Sequence, residues 1–156
     1  MNIFDAIKNQ DANAVEEILK QSPESLRQKD ERGSSPLLLA TYLGNPAIID
    51  LLLQHKPEID ARDMAGNTAL MGVCFKGYTG VAKALIEAGA DVNAVNSGQT
   101  TPLIFAAMFG KEEMVRLLLA NGADPNIRDQ QGMTALDHAR SREQHPTAAI
   151  LDTLTN

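Results

Sequence analysis

Cys74, His55, His138 and His145 are the residues of this chain whose side chains suit nucleophilic attack, proton transfer or metal binding. Such chemistry needs a base, an orienting partner and a pocket, not isolated candidates. None of the three histidines stands at metal-ligand spacing from another. Asp137 adjoins His138, but residues one apart on a helix point to different sides, so the sequence gives a dyad little support. Cys74, in the apolar run "ALMGVCFK", reads as a small buried filler rather than a nucleophile. Asp60, Asp91 and Asp124 recur at loop positions, yet no segment has the alternating carboxylates of a cation loop. "AGNTALMG" and "LGNPA" lack the strand and lysine of a phosphate loop. The expectation is no catalytic residue, no metal and no cofactor.

The bulk numbers narrow the partners. At 156 residues and 44% apolar content the chain can bury one sizeable core, and two large domains are excluded. A formal charge of −6 repels phosphate backbones and anionic lipid, so neither nucleic acid nor a membrane surface is an expected partner. The first residues, "MNIFDAIKNQDANAVEEIL", have no uninterrupted apolar stretch of signal-peptide type and read as mature protein. No run approaches the length of a membrane span. One cysteine excludes an internal disulfide framework and suits a reducing compartment, which makes a soluble cytoplasmic protein the expectation.

What must position any functional residue is a repeat. "LLLQHKPEIDARDMAGNTAL" (51–70), "ALIEAGADVNAVNSGQTTPL" (84–103) and "LLLANGADPNIRDQQGMTAL" (117–136) align at a spacing of 33. A fixed period of that size signals a solenoid. Ser35, Thr68 and Thr101 sit as helix N-caps, with Pro36 and Pro102 at the first helical position, where a missing N–H does no harm. Gly44, Gly77 and Gly110 follow the caps by nine residues and should end each first helix in a left-handed turn. Asn45 and Pro46 open one second helix; Glu112 and Glu113 favour the positive end of another. Gly89 and Gly122 close second helices, and a polar Gly-bearing segment suggests a tight hairpin before the next unit.

These residues resemble the ankyrin repeat, whose pattern runs from a leading Asp through "TPLHLAA" and a helix-ending Gly to a second helix closing in "LL" and "GADVN". The resemblance implies an all-α solenoid of stacked helix-turn-helix units with hairpin loops. Residues 30–62, 63–95 and 96–128 are the three internal repeats, and 1–29 and 129–156 are capping repeats with polar outer faces. The departures are specific. Leu38, Met71, Ile104 and Asp137 replace the usual His, so apolar stacking should substitute for a polar network. Gly72 precedes Phe105 by one repeat at the equivalent position, which reads as a small residue making room for a neighbouring ring. Lys56 and Pro57 replace "GA", suggesting an irregular helix end, and Gln99 replaces a hairpin Gly.

In that family the recognition surface is the concave side, made by hairpin tips and the inner-helix positions just before the helix-ending Gly. Carried over residue by residue, those positions are Tyr42 and Leu43, Phe75 and Lys76, Met108 and Phe109. They hold three of the chain's six aromatic residues. Such rings dominate interface energetics, although a stacked row could instead pack between helices. On the hairpin arm Lys29, Arg62 and Arg128 recur with the period, and Arg32 stands near the start. Either these bases face a partner or the adjoining Asp30, Asp63 and Asp129 neutralise them. The implied function is non-catalytic protein binding, directed at an acidic or amphipathic protein segment by a monomer. A regulatory or inhibitory subunit controlling a partner enzyme is the alternative, and an enzyme concealed in the groove is a third reading.

Overall fold

The computed structural model describes residues 1–154. Its helices come in antiparallel pairs. The inner helices are α1 (Ile3–Lys8), α3 (Pro36–Leu43), α5 (Ala69–Lys76), α7 (Pro102–Met108) and α9 (Ala135–Ser141). The outer ones are α2 (Ala12–Gln21), α4 (Pro46–Gln54), α6 (Thr79–Glu87), α8 (Glu112–Ala120) and α10 (His145–Asp152), with a 3-10 turn at Pro23–Arg27. No strand forms among the described residues.

The local chemistry explains where each inner helix starts. Ser35, Thr68, Thr101 and Thr134 each accept the amide three residues on, which satisfies one of the free donors of the first turn. At Thr68 the Met71 sulfur also takes the cap's own N–H at 3.4 Å, doing what a Glu does in a capping box. Gly44 and Gly77 end α3 and α5 in the left-handed region, both at φ 79°. The α7 helix stops a residue sooner than the sequence suggests, at Met108, with Phe109 as its cap and Gly110 left-handed beyond.

Units stack because each leaves apolar faces that only a neighbour can cover. The inner helices pack in chain order from α1 to α9, and α2 packs on α4, α6 on α8, and α8 on α10. Leu37, Leu70, Leu103 and Leu136 form one buried row of the continuous core, and Leu52, Leu85 and Leu118 another. Leu38, Met71 and Ile104, in place of the family's His, are buried beside them, while Asp137 instead caps α9.

The hairpins have their own construction. One carboxylate or amide oxygen of Asp30, Asp63, Asn96 and Asp129 accepts two backbone amides, at i+2 and i+4. Gln99 takes the left-handed hairpin position at φ 61° that Gly33, Gly66 and Gly132 take elsewhere, so the turn is conserved despite the substitution. Lys56 likewise takes the place of Gly89 and Gly122 at φ 54°, and α4 ends regularly. Adjacent hairpins are joined by Met64, Ser97 and Gln130 amides donating to the Arg32, Ala65 and Gly98 carbonyls.

Candidate groove between the hairpins and inner helices

The side of the stack where hairpins meet inner helices is hollow over the first three units, with a volume of about 1000 Å³. Lys29, Asp30, Arg32 and Asp63 line its hairpin wall; Leu39, Tyr42, Phe75 and Phe105 line the helical wall. Gly72 also lines this hollow. A Cβ built on Gly72 meets nothing within 4 Å, and Gly72 is not packed against the Phe105 ring. This corrects the reading of Gly72 as room for a neighbouring ring: Leu39, Gly72 and Phe105 are equivalent positions of successive inner helices, and the missing side chain opens a notch into the groove.

Of the residues singled out at the ends of the inner helices, Tyr42 is 53% exposed, Phe75 46% and Leu43 38%, unusual for large apolar side chains. Phe109 lies edge-on to Phe75 with ring centroids 4.6 Å apart, and Met108 packs partly on the core. The ammonium of Lys76 sits 4.2 Å above the Tyr42 ring, and the guanidinium of Arg142 5.2 Å from the Phe109 ring. Tyr42 meets Lys76, and Phe75 meets Phe109, which in turn meets Arg142, so rings and cations of successive units lie in one strip at the ends of the inner helices.

Three of the four bases on the hairpin arm, Lys29, Arg62 and Arg128, are tied to backbone carbonyls rather than to the adjoining aspartates. Arg62 donates to the carbonyls of Gly66, at 2.9 Å, and of Val95 in the next unit. Lys29 donates to the Arg62 carbonyl at 3.3 Å, and Arg128 to the Gly132 carbonyl at 2.8 Å, with Asp137 3.7 Å away. These side chains brace their own and following hairpins. The Arg32 side chain is exposed and makes no hydrogen bond or ion pair among the described residues. Asp60 and Asn93 join the bracing, since the Asp91 and Asp124 amides donate to them at 3.1 and 2.8 Å.

His138 does have a carboxylate partner, but it is Asp129 rather than Asp137. The two meet at 2.5 Å, with side chains only 9% and 7% exposed. Burial raises the Asp129 carboxyl, and the His138 ring together with the Met133 and Gln131 amides outweighs it, leaving Asp129 below the usual carboxylate range. Sequence reasoning missed this pair. Its signal is that His138 occupies the Leu39, Gly72, Phe105 row at the foot of the hairpin that Asp129 opens. Asp137, whose carboxylate takes the Thr134 amide and faces Arg128 and Arg140, is also lowered. Burial alone drives the Cys74 thiol far up, which disfavours the thiolate a nucleophile requires. Among the described residues no cluster of His, Cys, Asp and Glu could hold a metal ion, and no helix is long and apolar enough to cross a membrane.

Stacked helix pairs braced by hairpins, with an open hollow on one side of the first units, define a helical solenoid. A family profile described as ankyrin repeats (3 copies) matches residues 3–96, and a second, ankyrin repeats (many copies), matches residues 85–139. The chain belongs to the ankyrin-repeat family, whose repeats generally mediate protein–protein interaction. No curated protein matches the chain.

Proposed function

We propose that this protein is a non-catalytic binding module that holds a protein partner in the groove between its inner helices and hairpins, with Tyr42, Leu43, Phe75, Lys76, Met108, Phe109 and Arg32 as contact residues. The observation that carries the reading is the exposure of Tyr42 and Phe75 side by side on the wall of an open groove. Large rings left in water gain most from a partner that covers them. Arg62 and Arg128 enter as supports for the hairpin wall, since their guanidinium groups are committed to backbone carbonyls. The hollow is open to solvent and lined by exposed rings, which favours holding a partner.

Replacing Tyr42, Phe75 and Phe109 together by Ala is expected to abolish partner capture from native extract while the helical signal and the melting transition persist. Capture that survives the triple substitution would refute the placement. A regulatory or inhibitory subunit uses the same surface; it is distinguished by a change in the captured partner's activity when the protein is added back.

A further inference from the structure

We infer that the groove selects an acidic segment carrying one bulky apolar side chain, which enters the notch at Gly72 while neighbouring carboxylates meet the cations of the ring strip. The inference rests on the binding reading above and names the chemistry of the partner.

The first support is shape. Gly72 is the one inner-helix position of its row with no side chain, between Leu39 in the unit before and Phe105 in the unit after. Helix interiors disfavour glycine by about 1 kcal/mol relative to alanine. Here the cost brings no internal packing, because the space over Gly72 is open rather than filled by its own protein. The opening is bounded by Leu39 and Phe105 at its sides and by exposed Phe75 one turn further along α5. An apolar side chain of another molecule fits these walls; a charged one would lose its hydration without gaining a partner.

The second support is charge. The chain carries −6 overall, yet the turns that end α3, α5, α7 and α9, residues 42–45, 75–78, 108–111 and 141–144, contain Lys76, Lys111 and Arg142 against a single acid, Glu143, while the turn after α1 holds Asp11. None of these three cations is ion-paired among the described residues. Lys76 and Arg142 lie over rings, and the stem of Lys111 runs over Gly77. The opposite, hairpin wall has Asp30, Glu31 and Asp63 against Lys29 and Arg32, a slight excess of acid. None of the three cations lines the hollow itself, but Lys76 directly follows Phe75, which does, so a segment that is seated at Gly72 and continues past Phe75 gains by turning its carboxylates toward Lys76 and the cations beyond it.

The test is a random-peptide display library sorted on the full chain, with the recovered peptides synthesised and titrated. Expected peptides carry Asp or Glu beside Phe, Leu, Tyr or Met. Their affinity should fall roughly tenfold or more on Gly72→Leu, and similarly on Lys76→Glu combined with Arg142→Glu, the latter with a weaker salt dependence. Gly72→Met, whose flexible side chain fills the notch with less strain, substitutes if the Leu variant melts early. Peptides that need Tyr42 and Phe75 but are not acidic, or that ignore the Gly72 substitutions, overturn this inference and leave the binding groove standing. Peptides indifferent to Tyr42→Ala and Phe75→Ala, or a library that yields none, overturn the groove as well.

Discussion

At the scale of single residues, position in the period decides what a side chain can do. Thr41, Cys74 and Ala107 share one buried row, which explains why the single thiol is sealed off: it occupies a slot sized for small residues between stacked inner helices. Gly72 sits only two residues away and has the opposite surroundings. Because its Cβ position is open and α5 continues through it, Gly72→Ala should raise unfolding free energy by about 1 kcal/mol, the ordinary helix-propensity difference. Urea unfolding followed by circular dichroism measures it. A loss of stability would mean that the notch is closed in solution.

At the scale of helices and turns, the sequence discloses nearly everything that local hydrogen bonding decides. Hydroxyl caps, N1 prolines and helix-ending glycines satisfy groups within a few residues of themselves, so "SSPLLLA" or "TTPLIFA" can be read without a neighbour in view. The same logic locates Tyr42 and Phe75 just before the helix-ending glycines. What stays hidden is decided across the repeat. Whether Arg62 is free depends on the Val95 carbonyl, and whether His138 is paired depends on how the last hairpin folds over α9. Lys56 and Gln99 show the complementary case, in which the stack imposes a left-handed backbone on residues that disfavour it. Lys56 makes no side-chain bond among the described residues, so Lys56→Gly relieves the backbone at no loss of contact. It should stabilise the protein by about 1 kcal/mol. A thermal midpoint that does not rise would place the strain elsewhere.

At the scale of the whole molecule, stability is set unit by unit, and an end unit, supported from one side only, opens most easily. The last unit here also carries the two carboxyls lowered by folding. Asp129 has an ordinary value of 3.8 and a lower one in the fold, so it stabilises the native state at any pH above the ordinary value. That contribution disappears as pH falls through the lowered value. Asp137 shifts in the same direction, but its side chain is 42% exposed and solvent screens it, so Asp129 dominates. Acid should therefore loosen α9 and α10 before the middle of the stack. Hydrogen exchange followed from about pH 6 to about pH 3, corrected for intrinsic rates, should show amides of residues 129–152 losing protection ahead of those in 63–95. Asp129→Asn provides the control, because Asn96 shows that an amide oxygen at this position accepts the same two hairpin amides. The variant keeps the turn and removes the titrating group, so it should weaken the last unit by about 1 kcal/mol near neutrality and make its acid sensitivity resemble that of the middle units. Uniform loss of protection along the wild-type chain would instead locate the acid response in the array as a whole, and the Asp129–His138 contact would then be one brace among many rather than the latch of the final repeat.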